Sequence, residues 1–314
     1  MRALSSLIAA VVCAAGATAA PALSAPTPQI AGCQILPATS AWNQPITRAP
    51  VARNSATLIR SIGLTANFHA DFGSGLWDGG PIGIPFTTVT GNQPKVKVTF
   101  DYSDESDRGP YPIPPRAAIE GGSNADGDRH VIVLDRSSCK LYELFDAHPL
   151  AAGSSWRAGS GAVFDLHGGD AQRKRGWTSA DAAGLPILPG LARYEEVAAG
   201  AIDHALRFTA PRTRASFIAP ARHFASSSND AKLPPMGLRV RLKHKTSLKG
   251  LPPQARVIAQ AMKTYGLLLA DNGSPWYVSG APSPRWDNDQ LHSLDRLSGR
   301  DFEVVQAPAP GVTR

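Results

Sequence analysis

Residues 130–145, HVIVLD-RSSC-KLYELF, read as two β-strands joined by a four-residue turn. His130–Asp135 and Lys140–Phe145 are rich in β-branched, aromatic and long apolar side chains, and Arg136-Ser137-Ser138-Cys139 between them supplies the turn. Outward from this hairpin, short runs of the same kind recur between clusters of Gly, Pro, Asn and Asp. They are Val96–Tyr102, Ala162–Leu166, His204–Thr209, Ser216–Ala219 and Leu238–Leu242. Leu267–Asp271 and Trp276–Ser279 surround Asn272-Gly273, the strongest short hairpin signal in the chain. Helical periodicity is scarcer. Ser55–Ile62 can be capped by Asn54 and closed by Gly63. Pro253–Tyr265 carries a first-turn proline and places Val257, Ile258, Ala261, Met262 and Tyr265 on one face. Asn288–Ser298 spaces Leu291, Leu294 and Leu297 by three, and Glu195–Ala199 has room for a turn or two. Many short strands with two or three peripheral helices predict a mainly-β chain, a single β-sandwich or jelly-roll-like domain.

Composition and the N-terminus speak to compartment. Of 314 residues 43% are apolar and 18% charged, enough to bury a core and too apolar for a disordered chain. Arg2, the apolar run Leu4–Ala15 and the small residues Ala17–Ala20 before Pro21 have the three-part layout of a secretory signal peptide. The expected organisation is a leader over 1–20, a flexible spacer over 21–32, one β-rich domain over 33–305 and a tail over 306–314. The mature protein is expected to be secreted or periplasmic and off the membrane. Val12 in front of Cys13 argues against a lipid anchor. Cys33 and Cys139 then remain, and in an exported chain they are expected to be bridged, two free buried thiols being the alternative. Net charge is +7, or +6 once Arg2 leaves with the leader. The densest cationic tracts are Arg173-Lys174-Arg175 and the series Arg239, Arg241, Lys243, Lys245, Lys249. Alternation at 239–245 fits one face of a strand, either solvated or a groove for an acidic polymer. No nucleic-acid-binding module is present, so nucleic acid is not an expected partner.

Motifs for nucleotide handling, zincin chemistry or a nucleophile elbow are absent. What remains are clusters of ionisable groups at strand ends. Asp101, Asp104, Glu105 and Asp107 stand within seven residues, before GPYPIPP (109–115); they form a solvated turn, a calcium site, or the home of one member of a glycosidase carboxylate pair. Glu120-Gly121-Gly122 and Asp126-Gly127-Asp128-Arg129-His130 lead straight into the strand HVIVLD. Glu120 beside Ile119 and two glycines invites a raised pKa under a covering loop, and His130 stands at a strand mouth. Trp177-Thr178-Ser179-Ala180-Asp181 and Asp203-His204 form the third group. His204 shares a strand face with Leu206 and Phe208, which suits a core histidine as well as a general base. Loop tryptophans such as Trp77, Trp177 and Trp276 can stack on sugar faces.

These stretches together resemble a group of secreted, largely uncharacterised bacterial and fungal proteins. The similarity runs through CQILPATSAWNQPI (33–46), FHADFGSGLW (68–77), IEGGSNADGDRHVIVLDRSSCKLYELF (119–145), GWTSADAAGLPILPGL (176–191) and IDHALRFT (202–209), nearly the whole mature chain. It implies export and a single domain, and it carries no reaction or catalytic residue with it.

Export, β-architecture, loop tryptophans and acids in Gly-rich turns point to a carbohydrate-active enzyme that hydrolyses an extracellular polysaccharide with paired carboxylates. The residues expected to act are Glu120 as proton donor, Asp181 or Asp101 as the partner carboxylate, and His130 and His204 orienting or exchanging protons. Trp77, Trp177, Trp276 and Arg129 are expected to hold the sugar. No cofactor is required, with calcium near Asp101–Asp107 the open question. A polysaccharide lyase acting on an acidic glycan and a noncatalytic glycan-binding protein are the alternatives.

Overall fold

A computed structural model describes residues 27–306, and strand exceeds helix in it, 26% against 16%. The hairpin at 131–145 forms as read, Val131–Asp135 pairing antiparallel with Lys140–Phe145. Phe86–Val89 adds in parallel on one side and Ser160–Asp165 antiparallel on the other, completing a four-stranded sheet. Its two central strands are buried on both faces, which is why they read as continuous apolar runs. Ile132, Leu134 and Leu141 enter the main core, while Val131, Val133, Tyr142 and Leu144 join a smaller one with Trp156 and Tyr111. That smaller core is closed by a three-stranded sheet of His148–Leu150, Ser155–Ala158 and Lys97–Phe100.

Across the main core lies a six-stranded mixed sheet. Its order is Phe302–Val304, Arg239–Leu242, Leu267–Asn272, Leu206–Ala210, Tyr277–Ser279, His69–Asp71. Two of its pairings are parallel, a departure from the all-antiparallel jelly roll. The hairpin expected at Asn272-Gly273 does not form. Leu206–Ala210 inserts between the two flanking strands, pairing parallel with Leu267–Asn272 and antiparallel with Tyr277–Ser279. Gly273 instead donates its N–H to Ala210 of the intruding strand. The non-local pairing buries Phe208 against Trp276 and so outweighs local turn chemistry. Ser216–Ala219 is likewise no strand, since only Phe217 makes a bridge, to Met236.

Four α-helices lie among the described residues: Ser55–Gly63, Tyr194–Ala199, Pro253–Thr264 and Asn288–His292. The third packs Ile258, Ala261 and Met262 inward as read, with Ala255 and Ala259 buried beside them and Val257 only half-buried. Asn54 precedes the first without a side-chain cap. No described helix is long and apolar enough to cross a membrane.

The disulfide between Cys33 and Cys139 is present and ties the N-terminal segment to the 136–139 turn. The expected leader and most of the tail lie outside the described residues, as does the spacer up to residue 26. Its remainder is no free spacer, because Gln29–Ile30 pairs with Cys33–Gln34 and Ile30 is buried. Arg239 and Arg241 overturn the solvated-face and groove readings of the basic strand. Both are buried. Arg239 donates to the carbonyls of Ala41, Gln44 and Tyr265, and Arg241 to those of Ile46, Thr47 and Ala49 and to Glu303. A guanidinium's fixed fork of donors suits this work, fastening an irregular strap whose carbonyls have no ladder.

Candidate functional site

The two large sheets leave a polar seam between them. On the six-stranded sheet, register puts Ser279 beside Asp71 on one neighbour and beside Arg207 on the other. Period-two alternation turns Leu206 and Phe208 to one face and Arg207 to the other. The Arg207 guanidinium is buried, donating to Ser279 Oγ at 2.8 Å and Asp181 Oδ2 at 3.1 Å, with Asp271 Oδ2 at 3.8 Å. Asp181 arrives on the 176–191 loop, which is held between the sheets by Ser160 Oγ donating to Ser179 O and by Ser179 Oγ donating to Leu185 O. Burial pushes the Asp181 carboxyl up, Arg207 opposing and the neighbouring Asp271 charge adding to the shift.

The facing groups come from the mouth of the four-stranded sheet. Glu120 N donates to His130 O, and Glu120 Oε2 in turn meets His130 Nδ1 at 2.5 Å. His130 Nε2 donates to Ala180 O at 2.9 Å, so both ring nitrogens are engaged. Burial alone would lower the His130 pKa, but the Glu120 charge and hydrogen bond outweigh it and lift it to about 9. Burial alone would raise Glu120, yet the His130 charge and hydrogen bonds win and hold its carboxyl below the ordinary range. Both shifts favour the imidazolium–carboxylate form of the pair, the opposite of the raised pKa expected for Glu120. Behind it Glu143 is fully buried, accepting from the backbone N–H groups of Ile187 and Leu188, and burial lifts it to about 7.

Glu120 opens onto a groove of about 530 Å³ shared with Asp71, His69, Tyr277, His292 and Trp77. Trp77 stands 79% exposed on the hairpin of Leu76–Trp77 and Gly80–Pro81. That hairpin presses onto the Glu120 loop, where a Cβ on Gly80 would come within 2.1 Å of the Gly121 backbone. Asp71 is open to solvent at its groove face, but the enclosing walls and then the Glu120 charge raise its carboxyl pKa, with His69 and Arg207 opposing. A second pocket of about 400 Å³ opens at Asp181, Asp271, Asp128 and Tyr102.

Of the residues singled out by sequence, Glu120 and Trp77 line the groove, His130 is buried behind Glu120, and Asp181 lies on the same seam. The others do not join them. Asp101 is exposed and paired with Arg157. His204 is fully buried, bonded to Glu196 and to Ala205 O, a core histidine. Arg129 is buried and spends its guanidinium on the carbonyls of Ala147, Ser123 and Ala125. Trp276 has no exposed surface, stacks on Phe208 and Phe302, and donates Nε1–H to Gly63 O. Trp177 is half-exposed with the Lys174 ammonium 4.0 Å above its ring. The calcium reading of 101–107 also fails on geometry. Its carboxylates diverge, Asp101 to Arg157, Asp107 to Arg173 and Val163 N, and Glu105 to Thr178 N. No group of three His, Cys, Asp or Glu side chains among the described residues is placed to hold a metal ion.

Asp71, Arg207, Asp271 and Glu143 escaped the sequence reading. A signal existed for two of them. Arg207 and Glu143 are charges inside apolar strands, LRFTA and KLYELF, where period-two alternation already demands a buried partner. Compared with known proteins, the chain matches no family model, no curated protein and no solved structure, so the geometry of the seam and groove carries the functional argument alone.

Proposed function

We propose that the protein is a secreted carbohydrate-active enzyme that hydrolyses a polysaccharide in the groove under Trp77. The observation that carries this reading is a pair of carboxylates, Glu120 and Asp71, lining one open groove. Glu120 is held ionised by His130, while Asp71 is raised toward the protonated form. Two carboxyl groups pushed apart in this way are suited to divide acid and base roles. Asp71 delivers a proton to the leaving glycosidic oxygen. Glu120 acts on the opposite side through Oε1, which has no hydrogen-bond partner among the described residues, either on the anomeric carbon or on a water. Trp77 supplies a stacking face for the sugar. His130 works through Glu120, fixing its rotamer and its charge.

A lyase is the second reading, favoured by Tyr277 and His69, whose tilted rings pack with centroids 4.3 Å apart on the wall of the same groove and which are residue types that serve as bases. A panel of neutral and acidic polysaccharides, assayed for new reducing ends and for ultraviolet absorbance, separates the two. Hydrolysis gives reducing ends without absorbance, and elimination gives both. A protein that retains a polysaccharide but cuts none is a binder, and the cleavage reading falls.

A further inference from the structure

A surface outside the groove is built from cations seated on aromatic rings. Lys174 Nζ stands 4.0 Å above Trp177, and the Arg175 guanidinium 4.7 Å above Phe217. Phe217 stacks on Phe224 at 6.3 Å, and Phe224 on His223 at 5.9 Å. The two contributing segments are one unit, because Gly176 N donates to Arg222 O and Arg222 Nε to Arg173 O. Lys174 and Arg175 are exposed. The nearby acids are otherwise engaged, Asp107 by Arg173 and Glu105 by Thr178 N and, at 3.8 Å, His223. Among the described residues neither Lys174 nor Arg175 is in an ion pair.

A cation resting on a ring has given up part of its rotamer freedom and kept its charge, so an incoming anion costs less ordering. We propose that this surface docks an anionic polysaccharide, a chain carrying a carboxylate on its sugars, at a place separate from the Glu120 groove. Charge complementarity favours it, and the net charge of +6 that remains once Arg2 leaves with the expected leader adds long-range attraction. Surfaces that hold single-stranded nucleic acid offer open ring faces for the bases. Here Trp177 and Phe217 carry cations and Phe224 contacts two other rings, so the surface presents charge in place of stacking faces.

The test uses the full chain with Asp71→Asn, so that cleavage does not disturb binding, and titrates it with polygalacturonate, neutral dextran and duplex DNA at two salt concentrations. Polygalacturonate binds, dextran does not, and binding weakens with salt. Adding Lys174→Ala and Arg175→Ala weakens polygalacturonate about tenfold or more and flattens the salt dependence. The swap Lys174→Arg with Arg175→Lys keeps most of the affinity. Both positions are exposed, so the melting temperature stays put and a lost affinity reports the surface. Unchanged affinity in the alanine variant overturns the proposal. Duplex DNA binding as tightly as polygalacturonate overturns the assignment to a glycan.

Discussion

Replacing Glu120 by Gln removes the counter-charge from His130 and changes how stability depends on pH. In the native protein His130 is 2% exposed and Glu120 26%, so the pair is only weakly screened. Lifting a histidine from 6.5 to about 9 is worth ~3 kcal/mol, at ~1.4 kcal/mol per pH unit. The folded pKa is raised, so the contribution is fully present below pH 6.5 and is lost as pH rises through about 9. The depressed Glu120 is the same interaction met from the acid side, present above its ordinary 4.5 and lost as pH falls through the folded value. In Glu120→Gln the ring keeps its burial but not its partner, so desolvation drives its pKa down and the stabilisation disappears. Urea unfolding of both proteins at pH 6, 8 and 10 reads this directly. The gap between native and variant is largest at pH 6 and shrinks by ~3 kcal/mol toward pH 10. Groups that do not feel the pair cancel in the comparison; Glu143, whose carboxyl the His130 charge opposes, does not, so both proteins carry Glu143→Gln in this experiment. A gap that stays flat from pH 6 to 10 refutes the ion pair.

Glu143 gives the same sign from a carboxyl. Its pKa is raised from 4.5 to about 7, so its contribution is present below pH 4.5 and fades as pH rises through 7; in urea melts, Glu143→Gln gains ~3 kcal/mol relative to the native protein between pH 4 and 8. Arg239→Ala leaves three backbone carbonyls without their donor and lowers unfolding free energy by on the order of 3 kcal/mol, measured by chemical denaturation. Reducing Cys33–Cys139, which closes 106 residues, costs up to ~5 kcal/mol on a chain-entropy argument and appears as a lower melting temperature. Trp77→Ala, on an exposed ring, leaves melting unchanged while raising the KM for a cleaved polysaccharide; an unchanged KM removes Trp77 from the site.

Fold and site were legible to different depths. Val131–Asp135 and Lys140–Phe145 form a local antiparallel pair with its turn in sequence, so residues 130–145 suffice to read it. Leu206–Ala210 takes its place between Leu267–Asn272 and Tyr277–Ser279 through contacts across about 60 residues of chain, and no local pattern announces that. The same distinction runs through the site. Glu120 and His130 belong to adjoining turns at one strand mouth and were read together. Asp71, Ser279 and Arg207 line up only because three strands adopt a particular register, which Asn272-Gly273 pointed away from. Arg239 and Arg241 misled for a related reason. Alternation fixes which side chains share a face, and the strap from Ala41 to Ala49 decides whether that face meets water.

Glu120 and Asp71 are proposed to cut a glycan with water. Digesting the polysaccharide panel in water enriched in heavy oxygen, then weighing the products, measures this step itself. The native protein releases oligosaccharides carrying one heavy oxygen per new reducing end, and Glu120→Gln and Asp71→Asn, still folded by circular dichroism, release none. Unlabelled products, or cleavage that survives both substitutions, contradict it.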